Sequence, residues 1–146
     1  FCLACDFRIA TESSLVGLPE QRLGMIPGSG GSVRLLHMIG LQRTKDIVMR
    51  TRRIPGRKAY DWGIVSECVP DDSLGDAVAS LVKELSQFSA LAQRTSKDLL
   101  NMAQDAPLHV GIKLEGEAYG RLRSSRDFRE GVESFQAKRK PDFHGS

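Results

Sequence analysis

Gly17-Leu18-Pro19-Glu20 and Pro27-Gly28-Ser29-Gly30-Gly31 are the two stretches that decide the fold of this chain. The first places a carboxylate behind a proline, just after the short apolar segment Leu15-Val16, and the second is a glycine-rich turn followed by a helical pattern. The first turn of a helix has unpaired N–H groups and a partial positive charge, so it stabilises a nearby anion or polar oxygen. A rigid carboxylate beside such a turn suits proton transfer on a polarised substrate, with Glu20 as the candidate.

Both stretches also have ordinary structural explanations. A lone glutamate after a proline is usually a solvated loop residue, and a glycine turn can simply provide the positive φ of a tight connection. The turn lacks the Gly-Lys-Ser/Thr of a Walker loop, and Val33 stands where a dinucleotide fingerprint would have its third glycine. The sequence therefore leaves the structural and the functional interpretations of this turn open.

The composition is that of one modest globular domain. The 146 residues are 40% hydrophobic, and 21 basic against 18 acidic residues give a net charge of +3. This charge is too mild to indicate nucleic acid binding by itself. An odd number of cysteines favours reduced thiols in an intracellular protein, and no apolar run reaches the length of a membrane span.

No metal site is expected. Cys2-x-x-Cys5 has the spacing of half a zinc site, but no second pair follows. In a strand, residues three apart point to opposite faces, so we expect thiols in the core instead. The three histidines share no metal-ligand spacing: His37, His109 and His144.

Two basic runs are candidates for ligand contacts. The denser run consists of Arg50, Arg52, Arg53, Arg57 and Lys58, and the second is Lys138-Arg139-Lys140. The usual explanation of such runs is a solvated face. The alternatives are contact with the phosphates of a nucleotide-like ligand and RNA binding, for which the nearby aromatic residues offer a thin stacking surface.

The periodicity predicts short strands in the first half of the chain and helices in the second. Strands are expected at residues 6–9, 15–16 and 64–69. Helices are expected from the glycine turn to Gly40, over 41–49, from Pro55 to Gly63, and over 74–85, 89–102, 107–122 and from Ser124. Ser124-x-x-Asp127 matches a capping box, and the tail 138–143 is expected to be irregular.

The opening residues predict that something precedes them. The chain begins inside the apolar run Phe1–Cys5, and two or three short strands leave sheet edges unpaired. We therefore expect a fragment or a processed product whose upstream part completes the sheet.

Several stretches together resemble the crotonase (enoyl-CoA hydratase/isomerase) superfamily. In chain order they are Ala4–Ala10, Gly17–Glu20, Gly24–Gly31, Arg34-Leu35, Ala59–Val65, Arg129–Phe135 and Lys138–Pro141. The resemblance covers essentially the whole chain and corresponds to the C-terminal half of a member. It implies an α/β fold, with the C-terminal part of a ββα spiral over residues 1–72 and an all-helical trimerisation region over 73–146.

The resemblance also implies roles for particular residues. Glu20 would exchange a proton at the substrate α-carbon, with a second glutamate and the oxyanion hole lying upstream of Phe1. Gly28 would lie at the substrate. Phe135 and Lys138 would contact the adenine end of coenzyme A, often from a neighbouring subunit. No metal or redox cofactor is implied, because coenzyme A is part of the substrate and the thioester itself accepts the electrons.

The implied reaction is addition of water to the 2,3-double bond of an acyl-CoA thioester by a homotrimer or hexamer. The implied compartment is a bacterial cytoplasm or a mitochondrial matrix, without membrane association. The alternatives are isomerisation, thioester hydrolysis or decarboxylation on the same scaffold, and a non-catalytic assembly or RNA-binding module.

Overall fold

The computed structural model describes residues 1–146, which form two compact units, residues 1–80 and 81–146. Helices dominate, strands are few and short, and a membrane-spanning helix is absent. The elements are β1 (Ile9–Thr11), β2 (Leu15–Val16), α1 (Gly31–Val48), β3 (Ile54–Pro55), α2 (Gly56–Asp61), β4 (Glu67–Val69), α3 (Leu74–Leu85), α4 (Ala90–Ala103), α5 (Leu108–Arg123) and α6 (Arg126–Gln136). Short 3₁₀ helices occupy Cys2–Ala4, Glu20–Leu23 and Asp71–Ser73.

Two small sheets organise the first unit. β1 pairs in parallel with β4, with Ala10 opposite Cys68. β2 pairs antiparallel with β3, with Val16 opposite Ile54. Because β2 and β3 flank α1 in sequence, their pairing joins the segment before that helix to the segment after it. The largest fully buried side chains belong to α1 and to the segment before β4: Leu35, Ile47 and Ile64.

The glycine inside α1 breaks the helix as the sequence predicts. Gly40 has φ 79° and ψ 169°, so the helical segments on its two sides meet at a kink. A backbone with positive φ and ψ near 180° is essentially restricted to glycine, which explains the residue at this position. The Thr44 hydroxyl donates to the Gly40 carbonyl oxygen at 2.8 Å, four residues back along the chain.

A buried carboxylate joins three parts of the second unit. Asp127 is 4% exposed and accepts hydrogen bonds from the Ser89 hydroxyl at 2.5 Å and from the backbone N–H groups of His144 and Gly145 at 2.9 and 3.0 Å. Ser89 is also the N-cap of α4 and accepts from Ala92 N–H. The Ser89 bond, followed by the backbone bonds, holds the pKa of Asp127 below its ordinary value. The starts of α4 and α6 and the C-terminal tail therefore meet at one side chain.

The opening residues differ from the prediction. They form a 3₁₀ helix, Cys2–Ala4, with no buried residue, and Cys2 and Cys5 are exposed rather than in the core. In a 3₁₀ helix, residues three apart lie on the same side, so the two thiols are not directed to opposite faces.

Other predicted boundaries also shift. The strand expected over 6–9 is displaced along the chain and is observed as β1, Ile9–Thr11. The capping box at Ser124 is wrong, because Ser125 caps α6 by accepting from Phe128 N–H, while Asp127 bonds to Ser89 instead. The strand expected over 64–69 shortens to β4, because Ile64 N–H closes the turn after α2 by donating to the Ala59 carbonyl.

Replacing Gly56 by alanine should destabilise the first unit by about 1–3 kcal/mol or more, as overpacking does. A Cβ at Gly56 would collide with the backbone carbonyl of Thr11 in β1, and backbone cannot rotate out of the way. The matched control is Gly75→Ala in α3, where a Cβ has open space and helix propensity favours alanine. Thermal denaturation followed by circular dichroism measures both, and an unchanged melting temperature for Gly56→Ala would contradict the close packing.

Acid should remove the stabilisation that Asp127 provides. The pKa of Asp127 is lower in the folded chain than its ordinary value of 3.8, so its contribution is present above that value. The contribution disappears as the pH falls below 3.8 through the folded-state pKa. The midpoint of urea denaturation of the wild type should therefore exceed that of Asp127→Asn at pH 7, and the difference should shrink towards pH 2. A difference that is constant over this range would contradict the assignment.

Candidate active site

The end of β2 leads directly into the segment that carries Glu20. A Cβ at Gly17 would lie 3.0 Å from Cγ of Arg53, so only glycine allows this close approach without a shift. Pro19, with its fixed φ, then leads into the 3₁₀ helix Glu20–Leu23. Between the end of β2 and the Glu20 carboxylate, the chain is therefore constrained at two residues: Gly17 by a close contact and Pro19 by its ring.

Backbone hydrogen bonds close the turn on the other side of Glu20. Gly24 adopts φ 68° and ψ 21°, and its N–H donates to the Gln21 carbonyl at 3.1 Å. Met25 N–H donates to the Glu20 carbonyl at 3.2 Å. The backbone of Glu20 is therefore fixed by contacts before and after it, which pre-organises its side chain.

One oxygen of the Glu20 carboxylate is buried and has no hydrogen-bond partner. Oε2 is the one buried side-chain nitrogen or oxygen in the chain in this condition. An unsatisfied buried polar group costs about 1–3 kcal/mol, so its presence calls for an explanation such as catalysis. The side chain lies in a depression of about 370 Å³ that Pro19, Arg22 and Leu23 complete.

The glycine turn packs against the same segment. A Cβ at Gly31, the first residue of α1, would lie 3.2 Å from Leu18 and 3.6 Å from Pro27. The positive φ of the turn belongs to Gly30, which has φ 76°. Gly28 has neither a positive φ nor any neighbour near its missing Cβ, so neither backbone conformation nor packing within this chain requires glycine there. Its lack of a side chain leaves open space beside the start of α1.

A larger cleft of about 740 Å³ adjoins these residues. Gly17, Leu18, Ser29 and Gly31 line it together with residues of the opening 3₁₀ helix and of β1. Arg34 contributes a positive charge, and its guanidinium donates to the Ser29 carbonyl at 3.1 Å. The size and the largely apolar lining are typical of a small-molecule site. Glu20 itself lines the smaller depression, and Gly17 and Leu18, earlier in the same segment, line the cleft.

The other two predicted site residues lie in the second unit, at the end of α6. Phe135 is 86% exposed, and Lys138 has a positive φ of 52°. Neither belongs to the unit that contains Glu20 and Gly28. That all four contact one ligand stays a prediction.

The structure adds one residue that the sequence analysis did not single out, Glu130, as the partner of Arg139 in the second basic run. Arg139 forms a forked ion pair with Glu130, with Nη1–Oε1 at 2.5 Å and Nη2–Oε2 at 2.8 Å. Glu130 Oε1 also accepts from Asp142 N–H at 2.8 Å. The Arg139 guanidinium, followed by that backbone bond, lowers the pKa of Glu130 to about 2. Local spacing does not reveal this pair, because it depends on the chain reversing direction after α6.

Most of the predicted basic cluster is paired within the first unit. Arg50 and Arg52 both donate to Asp46, at 2.7 and 2.6 Å, and Arg52 followed by Arg50 holds the pKa of that carboxyl below its ordinary value. Arg57 lies 3.4 Å from the carboxylate of Glu12. These contacts favour the solvated-face explanation over contact with phosphates or RNA.

A family model described as enoyl-CoA hydratase/isomerase matches residues 1–146. The chain belongs to this family. A crystal structure of an enoyl-CoA hydratase from Bacillus anthracis superposes with a TM-score of 0.95 at 35% identity, covering 99% of this chain and 56% of that one. Both the resemblance and the fold class expected from it are confirmed.

Curated members of the enoyl-CoA hydratase/isomerase family show the same partial correspondence. An enoyl-CoA isomerase/hydratase of Mycosarcoma maydis is 38% identical over 144 residues, which are 98% of this chain and 53% of that protein. A 2,3-dehydroadipyl-CoA hydratase of Escherichia coli is 33% identical over 143 residues, 98% of this chain and 56% of that protein. The chain spans about half the length of the curated relatives it matches.

Proposed function

We propose that this protein is an enoyl-CoA hydratase, which adds water to the 2,3-double bond of an acyl-CoA thioester. The observation that carries the proposal is the buried, unpartnered Oε2 of Glu20. The segment that leads to Glu20 also lines the apolar cleft, through Gly17 and Leu18. Relatives that are named for chemistry on enoyl-CoA thioesters support the choice of substrate class.

In the proposed mechanism Glu20 donates a proton to the α-carbon. The oxygen of water bonds to C3, and the electron pair of the double bond moves onto C2 and the thioester carbonyl as an enolate. The Glu20 carboxyl then protonates C2. A base takes one proton of the water, and the other stays on the new hydroxyl group. After the product leaves, proton exchange with solvent returns the base and Glu20 to their starting protonation states.

The resemblance assigns two further roles to residues upstream of Phe1. A second glutamate would be the base that activates water, and two backbone N–H groups would form the oxyanion hole for the enolate. Such donors are usually the largest single catalytic contribution in sites of this kind. The part assigned to this chain is therefore the proton donor and one wall of the site.

The remaining site residues fit the same substrate. The open space at Gly28 lets the thioester approach the start of α1, and the apolar lining of the cleft suits an acyl chain. The exposed ring of Phe135 can stack on adenine, and the Lys138 ammonium can pair with a phosphate. The proposed reaction requires no metal or redox cofactor, because the thioester accepts the electron pair.

Isomerisation of the double bond is the second candidate. It would use the same buried, unpartnered carboxyl of Glu20. A single carboxylate can remove a proton from one carbon and return it to another, without a second base for water. A relative named enoyl-CoA isomerase/hydratase is consistent with either reaction.

Glu20→Gln should lower kcat of the full-length protein for crotonyl-CoA by about 10²-fold or more, since a positioned acid–base group is lost. The melting temperature should change little, because the amide has nearly the same shape. Glu12→Gln is the matched control, since Glu12 is exposed and makes only a surface ion pair with Arg57. Turnover by Glu20→Gln at the wild-type rate would rule out Glu20 as the proton donor.

Isotope incorporation distinguishes the two reactions. Turnover in H₂¹⁸O should place the heavy oxygen on C3 if the enzyme is a hydratase, and an isomerase would leave the product without it. Mass spectrometry of the product from a 2-enoyl and a 3-enoyl thioester measures this directly. A shifted double bond without ¹⁸O would replace the first proposal by the second.

A further inference from the structure

The C-terminus of α6 ends in an unusual way. Arg139 N–H donates to the Ser134 carbonyl at 3.0 Å and Lys138 N–H to the Phe135 carbonyl at 3.2 Å, which together form a Schellman motif. In such a motif one residue after the helix adopts a left-handed backbone, and that residue is normally glycine. Here it is Lys138, with φ 52°. A residue with a Cβ costs about 1–2 kcal/mol more than glycine in this conformation. The side chain at position 138 is therefore present at the expense of some conformational stability.

The surrounding contacts hold this conformation in place. The forked pair of Arg139 with Glu130 ties the residue after Lys138 back to the middle of α6. Glu130 also accepts from Asp142 N–H, so the same carboxylate fixes the tail further along. Since Glu130 has a pKa of about 2, it is ionised over the whole physiological range.

The groups displayed by this turn are left unused within the chain. Phe135 is 86% exposed, and the side chains of Lys138 and Lys140 form no ion pair. The carboxylate of Glu130, in the same turn, is already paired with Arg139. The turn thus combines an exposed aromatic face, which suits the base of a nucleotide, with free cations, which suit its phosphates.

We propose that Glu130 and Arg139 are positioning residues for the nucleotide end of coenzyme A. Their ion pair holds Lys138 in its left-handed conformation and thereby fixes the ammonium relative to the ring of Phe135. This inference rests on the proposed function for the identity of the ligand. It adds that the affinity for the nucleotide depends on a carboxylate that does not touch it.

The direction in which Glu130→Gln changes the Kd for coenzyme A distinguishes this proposal from a purely electrostatic effect. Glu130→Gln removes a negative charge and frees Arg139, so Coulomb attraction alone would strengthen the binding of an anionic ligand. Loss of the positioning contact instead weakens it. Isothermal titration of the full-length protein with coenzyme A should give a Kd that rises on the order of tenfold in Glu130→Gln, the loss expected for one charge-assisted contact.

Arg139→Gln provides the second variant. It changes the charge in the opposite direction but removes the same pair, so it should weaken binding to a similar extent. The double variant should bind coenzyme A no more weakly than either single variant, since each single substitution already removes the same ion pair. Glu133→Gln, also on α6, is the control for charge and should leave Kd unchanged or slightly lower.

Three results would overturn the proposal. Tighter binding by Glu130→Gln would show that charge alone governs the site, and an unchanged Kd in both variants would show that the pair is not needed. A purely structural role is tested with a crotonyl thioester of pantetheine, which lacks the nucleotide. Its KM should be unaffected by either variant, and an equal rise in KM for both thioesters would contradict a specific role at the nucleotide.

The outcome for the proposed function is read separately. If the wild type binds coenzyme A with these variant effects but turns over no enoyl thioester, the positioning role stands and the hydratase assignment fails. If the wild type hydrates crotonyl-CoA while the variants bind as it does, the hydratase assignment stands and the positioning role fails.

Discussion

The first unit depends on the parallel pairing of β1 with β4. The paired residues are far apart in sequence, and backbone bonds from Ser66 N–H to the Arg8 carbonyl at 2.8 Å and from Glu12 N–H to the Val69 carbonyl at 3.0 Å extend the pairing at both ends. β2, the Glu20 turn, α1 and α2 all lie in the loop that this pairing closes. The entropy cost of closing a loop grows only slowly with its length, so burial in the core can offset it. The close contact of Gly56 with β1 shows how little tolerance this arrangement has.

Three well-satisfied carboxylates of the chain contrast with that of Glu20. Asp46, Asp127 and Glu130 are each satisfied by two or more donors, and each has a lowered pKa. Glu20 instead has an oxygen that is shielded from water and unpaired. The satisfied carboxylates stabilise turns, helix starts and the tail. An unsatisfied one is a local weakness unless something outside the chain uses it, and this contrast distinguishes Glu20 without reference to any motif.

Features that depend on neighbours in sequence were predictable, and features that depend on distant contacts were not. The break at Gly40, the helix over 74–85 and the helix that starts near Ser89 follow from local rules of conformation and periodicity. Asp127 looked like part of a capping box, but contacts with Ser89 and with the tail determine its role. The position of Glu20 after a strand could be predicted, whereas the burial of its Oε2 could not, because burial depends on the folded turn around it.

The same limit applies to the tail. Its irregular backbone agrees with the prediction, yet the segment is held by the carboxylates of Asp127 and Glu130. Composition shows charged residues in this segment, but it does not show which of them are paired with each other. The pairing of Arg139 leaves its two lysine neighbours as the free cations, and that distinction comes only from the fold.

Lys138 has a consequence for anyone who sets out to make this protein more heat-resistant. A choice of residues by backbone preference alone would put glycine at this position and gain on the order of 1 kcal/mol. The same change would delete one of the free cations at the turn. Thermal robustness and ligand recognition therefore make opposite demands on a single residue, and an engineered variant would have to give up part of one to keep the other.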